Sequence, residues 1–102
     1  YFDMADALEA SLVDQVSLED AHRNNDLSLL ERFRETTVVF GSIAIARSAL
    51  EPVGAIRRRL IEALDHIDAE RLVVAPDCGL GYLSRELAMQ KLAHMCEAAK
   101  SI

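Results

Sequence analysis

The first apolar positions, Phe2, Ala5, Leu8 and Leu12, recur at three and four residues and predict an amphipathic helix. Residues 14–19 then alternate polar and apolar, the period of a short strand. A polar cluster over 20–26 ends in Asn24-Asn25-Asp26, side chains suited to accept an orphan N–H at a helix start. Leu27, Leu30 and Phe33 follow on one helical face. From Thr37 the chain turns β-branched and apolar without alternation, as in a strand covered on both faces. Pro52 stands where the next helix should start, a position where its missing N–H costs nothing. Behind it Val53, Ile56, Leu60, Ile61, Leu64 and Ile67 form the clearest helical stripe. Residues 71–75 read as a third strand closed by Pro76, and Leu83, Leu87, Leu92, Met95 and Ala99 as a last helix with Ser84 at its cap.

The predicted order is α-β-α-β-α-β-α, with a helix after every strand. Such alternation implies parallel strands joined by right-handed crossovers. Three parallel strands make a narrow sheet with two open edges, which seldom stands alone. A flavodoxin-like sheet needs about five strands, and a (β/α)8 barrel needs eight over about 250 residues. A chain of 102 residues holds one domain at most. The expectation is therefore a piece of an α/β fold, and Tyr1 in place of an initiating Met suggests a start inside a longer protein.

Charge narrows the classes of partner. A net charge of −6, from 11 Lys+Arg against 17 Asp+Glu, argues against nucleic-acid or anionic-membrane binding, which need clustered positive charge. Arg57-Arg58-Arg59 lies inside an amphipathic pattern and reads as a solvated helix face. The longest apolar stretch, 37–46, is too short to span a bilayer and is broken by Gly41 and Ser42. Two cysteines without a signal peptide point to a reducing, cytoplasmic setting, and nothing requires a Cys78–Cys96 disulfide.

In α/β folds ligands gather at the carboxyl ends of strands. Three places qualify: Glu19-Asp20, Ala46-Arg47-Ser48 and Asp77-Cys78-Gly79. Cys78 is placed to be a nucleophile or metal ligand, or else a small buried hydrophobe in a turn. Glu19 is open to metal binding, base chemistry or capping of the next helix. Cys96, beside Met95, reads as a packing residue. His22 sits in a polar loop near these ends in a solvated or supporting role, while His66 suits the dipole at a helix carboxyl end and His94 falls within a helix. No GxGxxG, Walker A loop, CxxC or HExxH occurs. Zinc is compatible with a Glu–Cys donor pair but needs two further ligands.

Several blocks in order carry a family resemblance. Val16-Ser17-Leu18-Glu19 is followed by Asp26-Leu27-Ser28-Leu29-Leu30-Glu31-Arg32-Phe33. Ala69-Glu70-Arg71-Leu72 leads into Pro76-Asp77-Cys78-Gly79-Leu80, the most specific block, and Lys91-Leu92, Met95 and Glu97-Ala98-Ala99-Lys100 complete the series. Together they resemble the carboxyl-terminal end of cobalamin-independent methionine synthase and its shorter catalytic-core relatives, over essentially the whole chain.

The resemblance implies the C-terminal three βα units of a (β/α)8 TIM barrel, with residues 1–102 an incomplete domain. It implies a zinc-dependent methyltransferase acting on the thiol of homocysteine in methionine biosynthesis. Zinc in that family is held by a His-x-Cys pair, a glutamate and a second cysteine; Glu19 and Cys78 match the last two. The one His-x-Cys in these residues, His94-Met95-Cys96, falls within the last helix and not at a strand end, so the zinc-binding pair is expected upstream of Tyr1, with the remainder of the barrel. Where the full-length family carries a histidine, this chain has Ala46-Arg47-Ser48. Arg47 does not release a proton at neutral pH, so its expected role is contact with substrate or an anion. The methyl donor is then methyl-folate or another methylated carrier, such as a methyl-cobamide. Two other readings remain open on sequence: zinc-thiolate alkyl transfer to a different, coenzyme-type thiol, and a non-catalytic α/β interaction module.

Overall fold

The computed structural model describes residues 1–102. The elements are α1 (Phe2–Glu9), β1 (Gln15–Glu19), a 3-10 helix (Leu27–Arg32), β2 (Thr37–Ile43), α2 (Val53–Leu64), a 3-10 turn (Ala69–Arg71), β3 (Leu72–Pro76) and α3 (Arg85–Lys100). The three strands form one parallel sheet in the order β1-β2-β3. Glu19 pairs with Gly41 and Ala75 pairs with Gly41 from the other side, so the three carboxyl ends lie level.

Alternation on the strands divides the sheet into two unlike faces. Val38 and Phe40 are buried in the main core, and Val16, Leu18, Leu72 and Val74 pack against it. Ile56, Leu60 and Ala63 from α2 and Met95 and Ala98 from α3 cover that face. The opposite face carries exposed Gln15, Ser17, Glu19 and Val73. A sheet layered by helices on one face only, with both edges unpaired, is consistent with the layering expected of part of a (β/α)8 barrel. No helix is long and apolar enough to cross a membrane.

Several local expectations change. The segment after Asp26 is a 3-10 helix, not an α-helix. Leu27, Leu30 and Phe33 are spaced by three, the 3-10 repeat, and all are buried. Asp26 caps it by accepting from Ser28 N–H at 3.0 Å. Leu12 lies beyond α1 and is exposed. Pro52 is the N-cap of α2 in extended conformation, one place before the first helical turn. Ser84 caps α3 as expected, accepting from Leu87 N–H at 3.2 Å.

Two packing expectations are corrected. Cys96 is an exposed thiol, because α3 turns Lys91, Met95 and Ala98 inward and rotates Cys96 away from them. The Arg57-Arg58-Arg59 run is not uniformly solvated. Arg59 folds back onto buried Asp20, with Nε–Oδ2 at 2.6 Å and a second bond to Oδ1 at 2.9 Å. That bidentate pair ties the turn after β1 to α2.

Candidate functional site

Asp77, one residue past β3, joins the carboxyl ends of the strands. Its Oδ1 accepts from the N–H groups of Asp20 and Ala21, each at 3.2 Å, and its Oδ2 accepts from His22 N–H at 2.8 Å. The same Oδ2 meets His22 Nδ1 at 2.6 Å, and the Asp77 side chain is wholly buried. Close approach to β2 makes this possible. A Cβ on Gly41 would lie 2.1 Å from Asp77 Oδ1 and 2.9 Å from its Cα, so only glycine fits. Asp77 N–H in turn donates to Ile43 carbonyl oxygen at 3.0 Å.

His22 extends the link to the loop after β2. Its Nε2 accepts from Ile45 N–H at 3.2 Å and Ala46 N–H at 3.0 Å. A nitrogen that accepts carries no proton, so this network assigns a neutral imidazole with its proton on Nδ1, donated to Asp77. One side-chain pair thus spans the ends of all three strands.

This bonding decides which groups are available to a metal. Ligand atoms of Glu19, His22 and Asp77 all lie within 4.8 Å of one another. Both nitrogens of His22 and both oxygens of Asp77 are already occupied by protein donors or acceptors. Glu19 differs: its carboxylate is exposed on the open sheet face and forms no hydrogen bond or ion pair. Cys78 directly follows Asp77 and is an exposed free thiol. It lines a cavity of about 400 Å³ together with His22, Ala46, Ser48 and Tyr82. Glu19 and Cys78 are thus both next to the His22–Asp77 pair, with Cys78 outside the three-residue group.

Arg47 opens elsewhere. It is exposed on the loop after β2 and lines a separate cavity of about 390 Å³ with Asn24, Glu51 and Arg58. That loop is anchored by a buried lysine absent from the sequence-level site. Lys91 Nζ donates to Ala44 O and Ala49 O at 2.9 Å each and to Glu51 Oε1 at 2.6 Å, using all three ammonium protons. Glu51 Oε2 accepts from Ala44 N–H at 2.6 Å. Burial pushes the Glu51 carboxyl up, but the bonds from Lys91 and Ala44 outweigh it and hold the group below its ordinary value. At Arg59 the hydrogen bond to Asp20 raises the guanidinium further, against the opposing effect of burial.

Asp77 stood at one of the three qualifying strand ends with no role of its own, and Gly41, Lys91 and Glu51 were not distinguished as site residues by sequence alone. The available signals were the block Pro76-Asp77-Cys78-Gly79, a glycine inside a β-branched run, and a lysine within an apolar stripe.

Residues 2–101 match the family model described as cobalamin-independent synthase, catalytic domain. The chain is 31% identical over 103 residues to the methionine synthase of Thermococcus kodakarensis, covering 100% of this chain and 31% of that protein. It is 32% identical over 103 residues to the methionine synthase of Pyrococcus abyssi, covering 100% of this chain and 30% of that protein. Among solved structures it resembles a B12-independent methionine synthase from Shewanella sp. W3-18-1 in complex with selenomethionine, with a TM-score of 0.91 and 28% identity. That match covers 97% of this chain and 29% of the other. The chain spans about a third of the length of the relatives it matches.

Proposed function

This chain belongs to the cobalamin-independent synthase family through that family's catalytic domain, and on that premise we propose that it forms part of a zinc-dependent site that methylates homocysteine to methionine. Residues 1–102 are then one portion of a barrel domain, completed by further βα units. The observation that carries this reading is the contrast at the strand ends. Glu19 and Cys78 keep free donor atoms, while the intervening His22 and Asp77 are consumed in fixing the backbone.

The donor chemistry fits zinc, which takes thiolate and carboxylate ligands in a tetrahedral set. Glu19 and Cys78 supply half of such a set, and a His-x-Cys pair from the rest of the barrel supplies the other half. Zinc, when bound, favours the deprotonated form of an acceptor thiol at neutral pH, and the thiolate is the nucleophile. The protein's part is positional. Asp77 fixes the turn that follows Glu19 and the start of the segment that carries Cys78, and Gly41 gives that carboxylate room. Arg47 contacts an anionic part of a substrate and cannot serve as a general acid. In the transfer, an S–C bond forms at the acceptor thiolate as the carrier–methyl bond breaks, the electron pair remaining on the carrier. Methyl-folate or another methylated carrier fills the donor role. A reducing, cytoplasmic setting keeps Cys78 available as a thiol.

Metal analysis tests the reading. Purified without chelator, the barrel that includes this chain should hold one zinc per molecule and lose most of it on Cys78→Ser. Absence of zinc, or zinc content unchanged by Cys78→Ser, contradicts the assignment.

A further inference from the structure

Two arginines lining a polar cavity have no acidic partner. The cavity, of about 390 Å³, lies between the turn after β1, the loop after β2 and α2. Three carboxylates line it, and each is already engaged. Asp20 holds Arg59 through both oxygens. Glu51 binds Lys91 and the Ala44 N–H. Glu62 reaches Arg59 at 3.2 Å, although it is also the i+4 neighbour of Arg58. Arg47 and Arg58 line the same cavity, are exposed, and form no ion pair or side-chain hydrogen bond within the chain.

The lining carries three arginines against three carboxylates, so its charges balance, but Arg47 and Arg58 are the two guanidinium groups that face the cavity without a carboxylate partner. Guanidinium groups present forked N–H donors that match the paired oxygens of phosphate and carboxylate. The backbone carrying Arg47 is also fixed beforehand, by Lys91 and Glu51 at its ends and by His22 at Ala46 N–H. Fixing it in advance lowers the entropy lost when a ligand is gripped.

We propose that this cavity binds an oxyanion, the phosphate or carboxylate group of a small ligand, between Arg47 and Arg58. The cavity shares no lining residue with the one that Cys78 opens on. This proposal rests on the anion contact assigned to Arg47 above and adds Arg58 to it; binding itself needs neither zinc nor methyl transfer, so its failure and that of the methyltransferase assignment are distinguishable.

The experiment is an amide and arginine side-chain NMR titration of the chain at constant ionic strength. Inorganic phosphate and acetate are the two probes, with chloride as control. Saturable shifts at Asn24, Arg47 and Arg58 are expected. Saturation by phosphate alone assigns a phosphate group, by acetate alone a carboxylate, and by both an oxyanion site that accepts either. Arg47→Gln or Arg58→Gln should weaken binding by about tenfold or more, the loss of one charge-assisted hydrogen bond. Glu62→Gln should tighten it. Both arginines are exposed, so unchanged shifts elsewhere will verify that the variants keep the fold. The proposal is overturned by non-saturable shifts with both probes, by an equal response to chloride, or by saturation that survives the double Arg47→Gln/Arg58→Gln variant.

Discussion

Asp77 Oδ2 and His22 Nδ1 stand 2.6 Å apart, and this contact joins three strand ends that are separate in sequence. Asp77 reaches back to the turn after β1, and His22 reaches across to the loop after β2. The pair organises the place where this fold carries its chemistry without offering a free donor atom of its own.

Asp77→Ala removes the acceptor of His22 N–H and the partner of the His22 ring, while the N–H groups of Asp20 and Ala21 keep Gly41 O as a second acceptor. Leaving a buried donor unmet costs about 1–3 kcal/mol, so a loss in that range is expected. Urea unfolding should show it as a lower midpoint, and amide exchange should speed up at 20–22 and 45–46. A midpoint within error of the parent would show that the network contributes nothing to stability.

Gly41→Ala puts a methyl group where Asp77 Oδ1 already sits, 2.1 Å from the new carbon. Relief requires moving Asp77 off β2, and overpacking of this kind costs about 1–3 kcal/mol or more. The Asp77→Gly change should be far less harmful in the Gly41→Ala background than in the parent. Additive melting-point losses in the double variant would contradict the steric explanation.

Lys91→Met leaves Glu51 and two carbonyl oxygens without their buried partner. Breaking a buried pair from one side costs about 3–5 kcal/mol. The Glu51→Gln/Lys91→Met double variant should recover part of that loss. Glu51 also predicts a pH dependence. Its carboxyl is held below the ordinary value of 4.5 in the folded chain, so its stabilisation is complete above that value. It is lost as pH falls through the lowered folded value. Denaturation midpoints followed down through that range should fall more steeply in the parent than in Glu51→Gln.

The 102-residue chain by itself should bind zinc weakly, because it supplies only Glu19 and Cys78 at the strand ends; its one His-x-Cys, His94-Met95-Cys96, lies within α3 with His94 Nδ1 bonded to Glu51 O. Calorimetry should detect no tight one-to-one complex. A tight, stoichiometric complex on this chain would mean a ligand set other than the one proposed.

The strand–helix alternation was legible because each apolar segment keeps its own period. Residues 14–19 alternate, 37–43 do not, and the stripe from Val53 to Leu64 follows the helical repeat. The 3-10 form of Leu27–Arg32 was less so, since spacing by three fits both helix types over so short a run. Glu19 and Cys78 were visible as chemistry-bearing residues at strand ends. The roles of the groups that fix the surrounding loops were not, because Asp77 acts on residues 55–57 positions away and Lys91 on residues 40–47 away. Arg59 misled for the same reason: its partner, Asp20, lies in another βα unit. Periodicity reports the face on which a residue lies but not the distant group that meets it there.

In the proposed site Cys78, and not Cys96, meets a metal together with Glu19. Cobalt(II) absorption tests it most directly, because thiolate ligation adds an intense near-ultraviolet charge-transfer band that carboxylate and water ligands lack. Titrating the chain with excess cobalt should produce that band in the parent and in Cys96→Ser, weaken it in Glu19→Gln and abolish it in Cys78→Ser. A band that persists in Cys78→Ser, or that disappears in Cys96→Ser, would contradict the account.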